Sequence, residues 1–246
     1  MTMKAAASDQ RKLLDLQEFD TELQRNSRAA QTPPENAQLV ELESRLVAIR
    51  QSLSAATGTL EDARTEFVRL ESDAKVVQAR IDRDTTLLNG TSSAKDAVGI
   101  EHELDSLKKR RSDLDDIELT VMEQLEDRAA AVQAIEADRD AVTAELSTVQ
   151  EARDARLAEL AAARALIERD RNTLVGTLPA ELVALYDRQR ERYGYGASLL
   201  TRGVSSASGV TLTGSDLAAV RAAAPDDVVL CPDSNAILVR TDESGI

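Results

Sequence analysis

From Leu39 onward, apolar side chains recur at alternating steps of three and four: Leu39, Leu42, Leu46, Ile49, Leu53, Ala56, Leu60, Ala63, Phe67, Leu70, Ala74, Val77, Ile81 and Leu88, with Asp84 as the one exception. A strand would alternate with period two, and a helix on a globular surface would drift off a seven-residue repeat over this distance. The stripe therefore predicts a long helix with a coiled-coil seam. Gly58 lies off the stripe, where it costs the helix about 1 kcal/mol and marks a place for a bend. "NGTSSAKD" then breaks the pattern with Asn-Gly and a Ser/Thr cluster, which predicts a reversal near 89–96. "NGT" also matches a glycosylation acceptor, but with no secretion signal the plain turn is the expected reading.

A second stripe runs Ile100, Leu104, Leu107, Leu114, Val121, Leu125, Val132, Ile135, Val142, Leu146, Val149, Leu160, Ala163, Ile167, interrupted by Arg111, Arg128, Arg139, Arg153 and Arg156. Arginine stems can lie on a seam while their heads reach water and nearby carboxylates, so this seam is expected to be narrow and wet. At 1.5 Å per residue, Leu39 to Leu88 spans roughly 75 Å and Ile100 to Leu174 roughly 110 Å, so the second helix overshoots the first. The segment "LLDLQEFDTEL", with Leu16, Phe19 and Leu23 on one face, precedes the helix-breaking Pro33-Pro34 and supplies the missing cover. The expected architecture over 1–175 is an antiparallel coiled-coil hairpin, one arm broken near 32–35.

Near Gly176 the pattern changes. "GTLPAELVALYDRQRERYGYG" reads as a helix entered through a proline, with Leu182, Leu185 and Tyr186 on one face. Beyond it, "ASLLTR", "VTLT", "VVLC" and "AILVR" read as short strands around one helix, "SDLAAVRAAA", which Ser215 or Asp216 is placed to cap. Val204, Val210, Leu212, Val228, Val229, Leu230, Ile237, Leu238 and Val239 are the candidate core of this part, which spans 176–246 with its junction helix.

Composition narrows the class. Charged residues make up 30% of the 246, aromatics only 2%, and there is no Trp, so a large rounded core is not expected. A formal charge of −14 opposes non-specific polyanion binding. One cysteine permits no internal disulfide, the N-terminus lacks an apolar signal core, and no run approaches the ~20 apolar residues of a membrane span. A cytoplasmic protein without membrane attachment is the expectation.

Four stretches, "ELDSLKKRRSDLDDIELTVMEQLE", "LPAELVALYDRQRERYG", "SSASGVTLT" and "CPDSNAILVRTDESGI", resemble the bacterial C4-type zinc-ribbon proteins whose N-terminal part is a long coiled-coil hairpin. The resemblance covers essentially the whole chain. It implies a mainly α fold with a small C-terminal zinc-ribbon-like β module, protein-protein interaction or nucleic-acid binding, and no catalysis. It also implies two Cys-x-x-Cys knuckles holding zinc, and these fall on Ser205 and Ser208 and on Cys231 and Ser234. Three of the four are serine, whose hydroxyl is too weak an acid to supply an anionic ligand at neutral pH. No cofactor is therefore expected, and the module must lean on the helix from Pro179 to Tyr193 instead of an ion.

Other chemistry finds little support. His102-Glu103 begins an H-E-x-x-H pattern, but Ser106 stands where the second histidine belongs, and a solvated helix face accounts for His102. The only basic run is Lys108, Lys109, Arg110 and Arg111, which either balances Glu101, Glu103, Asp105 and Asp113 or docks an acidic partner or RNA. From 197 to 246 the charge is −3 with no aromatic platform, which disfavours nucleic acid there. The expected function is a non-enzymatic coiled-coil adaptor or chaperone-like scaffold, its exposed flank meeting a partner helix or a second copy of the chain. The alternative is a regulatory RNA- or DNA-binding protein working through the basic run.

Overall fold

The computed structural model describes residues 3–245. Five helices carry most of the chain: α1 (Ala7–Gln31), α2 (Glu35–Gly90), α3 (Ala94–Val175), α4 (Ala180–Tyr193) and α5 (Gly214–Ala222). Three short strands, β1 (Ala197–Thr201), β2 (Val204–Ser205) and β3 (Ile237–Val239), and a 3-10 turn at Asp242–Ser244 complete it. The break at the prolines occupies 32–34, and the reversal is tighter than expected, only 91–93 being non-helical. Gly58 does not interrupt α2.

The chain forms two compact units, Glu35–Glu151 and Met1–Pro34 with Ala152–Ile246. The boundary between these units falls within α3. In the first unit α2 and α3 pair as a hairpin along the two stripes. Leu42, Ile49 and Val142 are buried together, with Leu46, Ile135, Leu146 and Val149 packed against them. Two helices can cover each other on one side only, so many stripe positions, Leu53, Phe67, Leu70 and Val77 among them, stay half-buried. The seam arginines behave as their stems allow. Arg111, Arg128 and Arg139 are half-buried, and Arg128 donates to the Thr59 carbonyl at 2.7 Å while Arg139 reaches Asp140.

The second unit has a denser core. Leu13, Leu16, Leu182, Tyr186, Ile237 and Val239 are sealed from water in one cluster, joined by Ala5, Leu178, Ala197 and Val228. A smaller cluster holds Leu200, Leu212, Val220, Cys231 and Leu238. The sheet order is β2-β1-β3: β1 pairs antiparallel with β2 and parallel with β3. Ahead of α1, the Ala5 N–H donates to Asp226 at 2.8 Å, and the Val228 N–H donates to Met3 at 2.9 Å.

Several expectations are corrected. "VTLT" and "VVLC" are not strands but contribute single bridges, Val204 to Thr211 and Leu230 to Ile237. The partner of β1 in the hairpin is Val204–Ser205 instead. Val210 and Leu230 point outward, 50% and 38% exposed, because turns carry them off the sheet faces. The cap of α5 is Thr213, whose hydroxyl accepts the Asp216 N–H, not Ser215 or Asp216.

Candidate functional site

Two polar constellations sit in the unit that holds the strands. The first is centred on Asp20, 2% exposed on the buried face of α1 that carries Gln10, Leu13 and Leu16. Its carboxylate accepts from Arg171 Nε at 2.8 Å, Arg190 Nη1 at 2.8 Å and the Tyr186 hydroxyl at 2.7 Å. Asp187 extends the set by accepting from Arg171 Nη2 at 3.2 Å. A buried carboxylate survives only when paired and hydrogen-bonded, and here α3 and α4 each supply a guanidinium. Burial first, then the hydrogen bond to Asp20 and that carboxylate's charge, push the Tyr186 hydroxyl far above its ordinary range, so it stays protonated and donates. One turn earlier, Gln17 Oε1 accepts from the backbone N–H of Gly196 at 2.8 Å and Ala197 at 3.3 Å. Gly196 lies so close under the Tyr186 ring that a Cβ there would be driven into it. This is a latch joining α1, α3, α4 and the start of β1.

The second constellation is Ser205, Ser208, Cys231 and Ser234, the positions that the sequence resemblance implies as zinc ligands. Ser205 and Cys231 are fully buried, Ser234 is half-buried, and both serines lie beside the Cys231 thiol. Burial is the largest single influence on the Cys231 thiol and pushes it up. Hydrogen bonds from the Ser205 and Ser234 hydroxyls, with the backbone of Ser234 and Asp233, together bring it below its ordinary value. Ser205 Oγ also lies 2.7 Å from Ser198 Oγ, which accepts the Ala207 N–H at 3.1 Å. Ser208 Oγ accepts the Val210 N–H at 3.3 Å. Among the described residues no group of three or more His, Cys, Asp or Glu is placed to hold a metal ion. One thiol and three hydroxyls do not fit zinc.

Arg240 anchors the same module from the other side. Its guanidinium donates to the carbonyls of Val220, Ala223, Ala224, Pro225 and Asp227 at 2.7–3.3 Å, closing the C-terminal end of α5.

In the hairpin unit, His102, Lys108, Lys109 and Arg110 are exposed on α3. Arg111 is half-buried and pairs with Asp115 at 2.6 Å and Glu118 at 3.9 Å, not with the acids expected to balance the run. The structure therefore does not bring Lys108–Arg111 together as one tetrad. Sequence reading missed Gln17, Asp20, Arg171 and Arg190 altogether. The one sequence signal is for Asp20, a charge four residues after Leu16 on the buried face of α1.

Comparison with known proteins gives a consistent result. A model of the CT398-like coiled coil hairpin domain matches residues 16–194, which covers the coiled-coil hairpin and not Ser205, Ser208, Cys231 or Ser234. An uncharacterized protein of Mycobacterium tuberculosis is 36% identical over 241 residues, covering 98% of both chains. One from Mycobacterium leprae is 26% identical over 227 residues, covering 90% of this chain and 96% of that one. Among solved structures, a Mycobacterium smegmatis protein superposes with a TM-score of 0.82 at 36% identity, covering 97% of this chain and all of that one. CT398 from Chlamydia trachomatis shares the fold, with a TM-score of 0.60 at 16% identity over 94% and 97% of the two chains. No helix among the described residues is long and apolar enough to cross a membrane.

Proposed function

Since the chain belongs to the CT398-like coiled-coil hairpin family, we propose that it is a non-enzymatic adaptor of the cytoplasm. In this reading the hairpin recognises other proteins, and the C-terminal module is a zinc-ribbon-like docking head that works without metal. The observation that carries the reading is the segregation of charge. Residues 75–111, around the hairpin reversal, hold eight Lys and Arg against six Asp and Glu, a surplus of two cations. The rest of the chain then carries −16 of the formal −14 total. Arg80, Lys95, Lys108, Lys109 and Arg110 are exposed there and form no ion pair among the described residues. Unpaired cations beside the hairpin reversal of an otherwise acidic chain suit an acidic protein surface, which they steer and orient more than they bind tightly.

Affinity capture from native cytoplasm tests this, with wild type compared with Lys108→Ala/Lys109→Ala/Arg110→Ala. The expected result is a discrete protein partner lost from the variant; an unchanged set of captured proteins contradicts it. The same basic run is what favours the second reading, an RNA- or DNA-binding protein. That reading requires a salt-dependent shift of a labelled oligonucleotide abolished by the same three substitutions. With the rest of the chain so acidic, no shift at low salt is the outcome expected.

A further inference from the structure

The C-terminal module contains the same turn twice, 26 residues apart, and the repeat is structural with little trace in sequence. An antiparallel bridge joins Val204 to Thr211, and another joins Leu230 to Ile237. Inside the first bridge, the Ser205 N–H donates to Val210 at 3.2 Å and the Gly209 N–H returns to Ser205 at 2.8 Å. Inside the second, the Cys231 N–H donates to Ala236 at 2.8 Å and the Asn235 N–H returns to Cys231 at 2.9 Å. The side chain in the fourth place behaves alike in both: Ser208 Oγ accepts the Val210 N–H, and Ser234 Oγ accepts the Ala236 N–H. The next residue is left-handed in both, Gly209 at φ 66° and Asn235 at φ 55°. Glycine adopts that backbone freely and asparagine tolerates it. Aligned by chain position, "VSSASGVT" and "LCPDSNAI" share only the serine at 208 and 234.

We infer that these turns are the two halves of a four-cornered metal frame, with corners at Ser205, Ser208, Cys231 and Ser234, in which a hydroxyl relay from Ser198 has replaced the ion. Two i, i+3 pairs presented by facing turns are the arrangement that four thiolates need around a tetrahedral ion. In this chain Ser198 Oγ bonds Ser205 Oγ at 2.7 Å and Ser206 Oγ at 3.3 Å, next to the buried Cys231, whose thiol feels the Ser205 and Ser234 hydroxyls. Ser198 and Ser205 are 1% and 0% exposed, so their bonds are formed out of competition with water. Cys231 is also sealed from solvent. The inference rests on reading the module as a metal-free docking head and adds which atoms replace the metal.

The test uses the full-length chain in three forms: wild type, Ser198→Ala, and Ser205→Cys/Ser208→Cys/Ser234→Cys. Zinc content and cobalt spectra are measured alongside thermal unfolding with and without chelator. The triple variant is expected to take up one zinc or cobalt per chain, with the spectrum of a tetrahedral thiolate complex, and to melt lower when chelator is added. Failure to bind cobalt in that geometry overturns the four-cornered frame. Ser198→Ala is expected to lower the wild-type Tm by roughly 3–8 °C and to have a much smaller effect when added to the zinc-loaded triple variant. A neutral Ser198→Ala in the wild-type background overturns the relay even if the triple variant does not fold. Stoichiometric zinc in the wild type would sink the metal-free reading itself, a result distinguishable from either of the others.

Discussion

The hairpin unit and the unit that carries the strands are stabilised on opposite principles. The hairpin repeats one weak device many times: an apolar residue every third or fourth position, half-covered by its partner helix, with arginine stems filling the gaps. Its ion pairs, such as Arg45 with Asp138 and Lys75 with Glu71, are exposed and contribute little individually. The other unit concentrates its specificity in a few places that occur once: Asp20 with its two arginines and tyrosine, Arg240 with its five carbonyls, and the serine relay. A repeated device tolerates local loss. A singular one does not, because removing one partner strands the others in a low-dielectric interior.

Substitutions should therefore separate the two units by size of effect. Asp20→Ala leaves the Arg171 and Arg190 guanidinium groups and the Tyr186 hydroxyl without their common acceptor. We expect it to cost about 3–5 kcal/mol in denaturant unfolding monitored by β-strand and tyrosine signals. Arg240→Ala removes charged donors from the carbonyl end of α5 and should cost about 2–3 kcal/mol by the same measurement. Gly196→Ala forces the Tyr186 ring to shift and should cost about 1–3 kcal/mol, with a change in near-ultraviolet tyrosine dichroism. At the small end, Glu61→Ala breaks an exposed pair with Arg64 in α2 and should stay within about 0.5 kcal/mol of wild type. A large loss from Glu61→Ala or a neutral Asp20→Ala would collapse the distinction.

The same contrast explains what the sequence disclosed. The hairpin was legible because its physics is periodic: Leu39 to Leu88 repeats on one face, and Pro33-Pro34 and the Asn89-Gly90 region interrupt it. Asp20 and Arg171 stand 151 residues apart, and no local pattern marks them as partners. The strands were only partly legible. "ASLLT" and "ILV" form as expected, whereas "VTLT" and "VVLC" have strand-like composition but are taken up by the two turns. The cap of α5 went to Thr213 because helix geometry needs the acceptor three residues before the Asp216 N–H, not beside it. In the turns, Ser205, Ser208, Cys231 and Ser234 were marked by the family resemblance, but Ser198, which bonds Ser205, is on another strand and has no spacing relation to find.

Amide hydrogen exchange on wild type and Asp20→Ala, resolved by residue, tests the division most directly. The account predicts that the substitution strips protection from α1, α4, β1 and β3 and leaves the amides of 35–90 and 94–151 as slow as before. An equal loss of protection along the hairpin, or none in the strands, would contradict it.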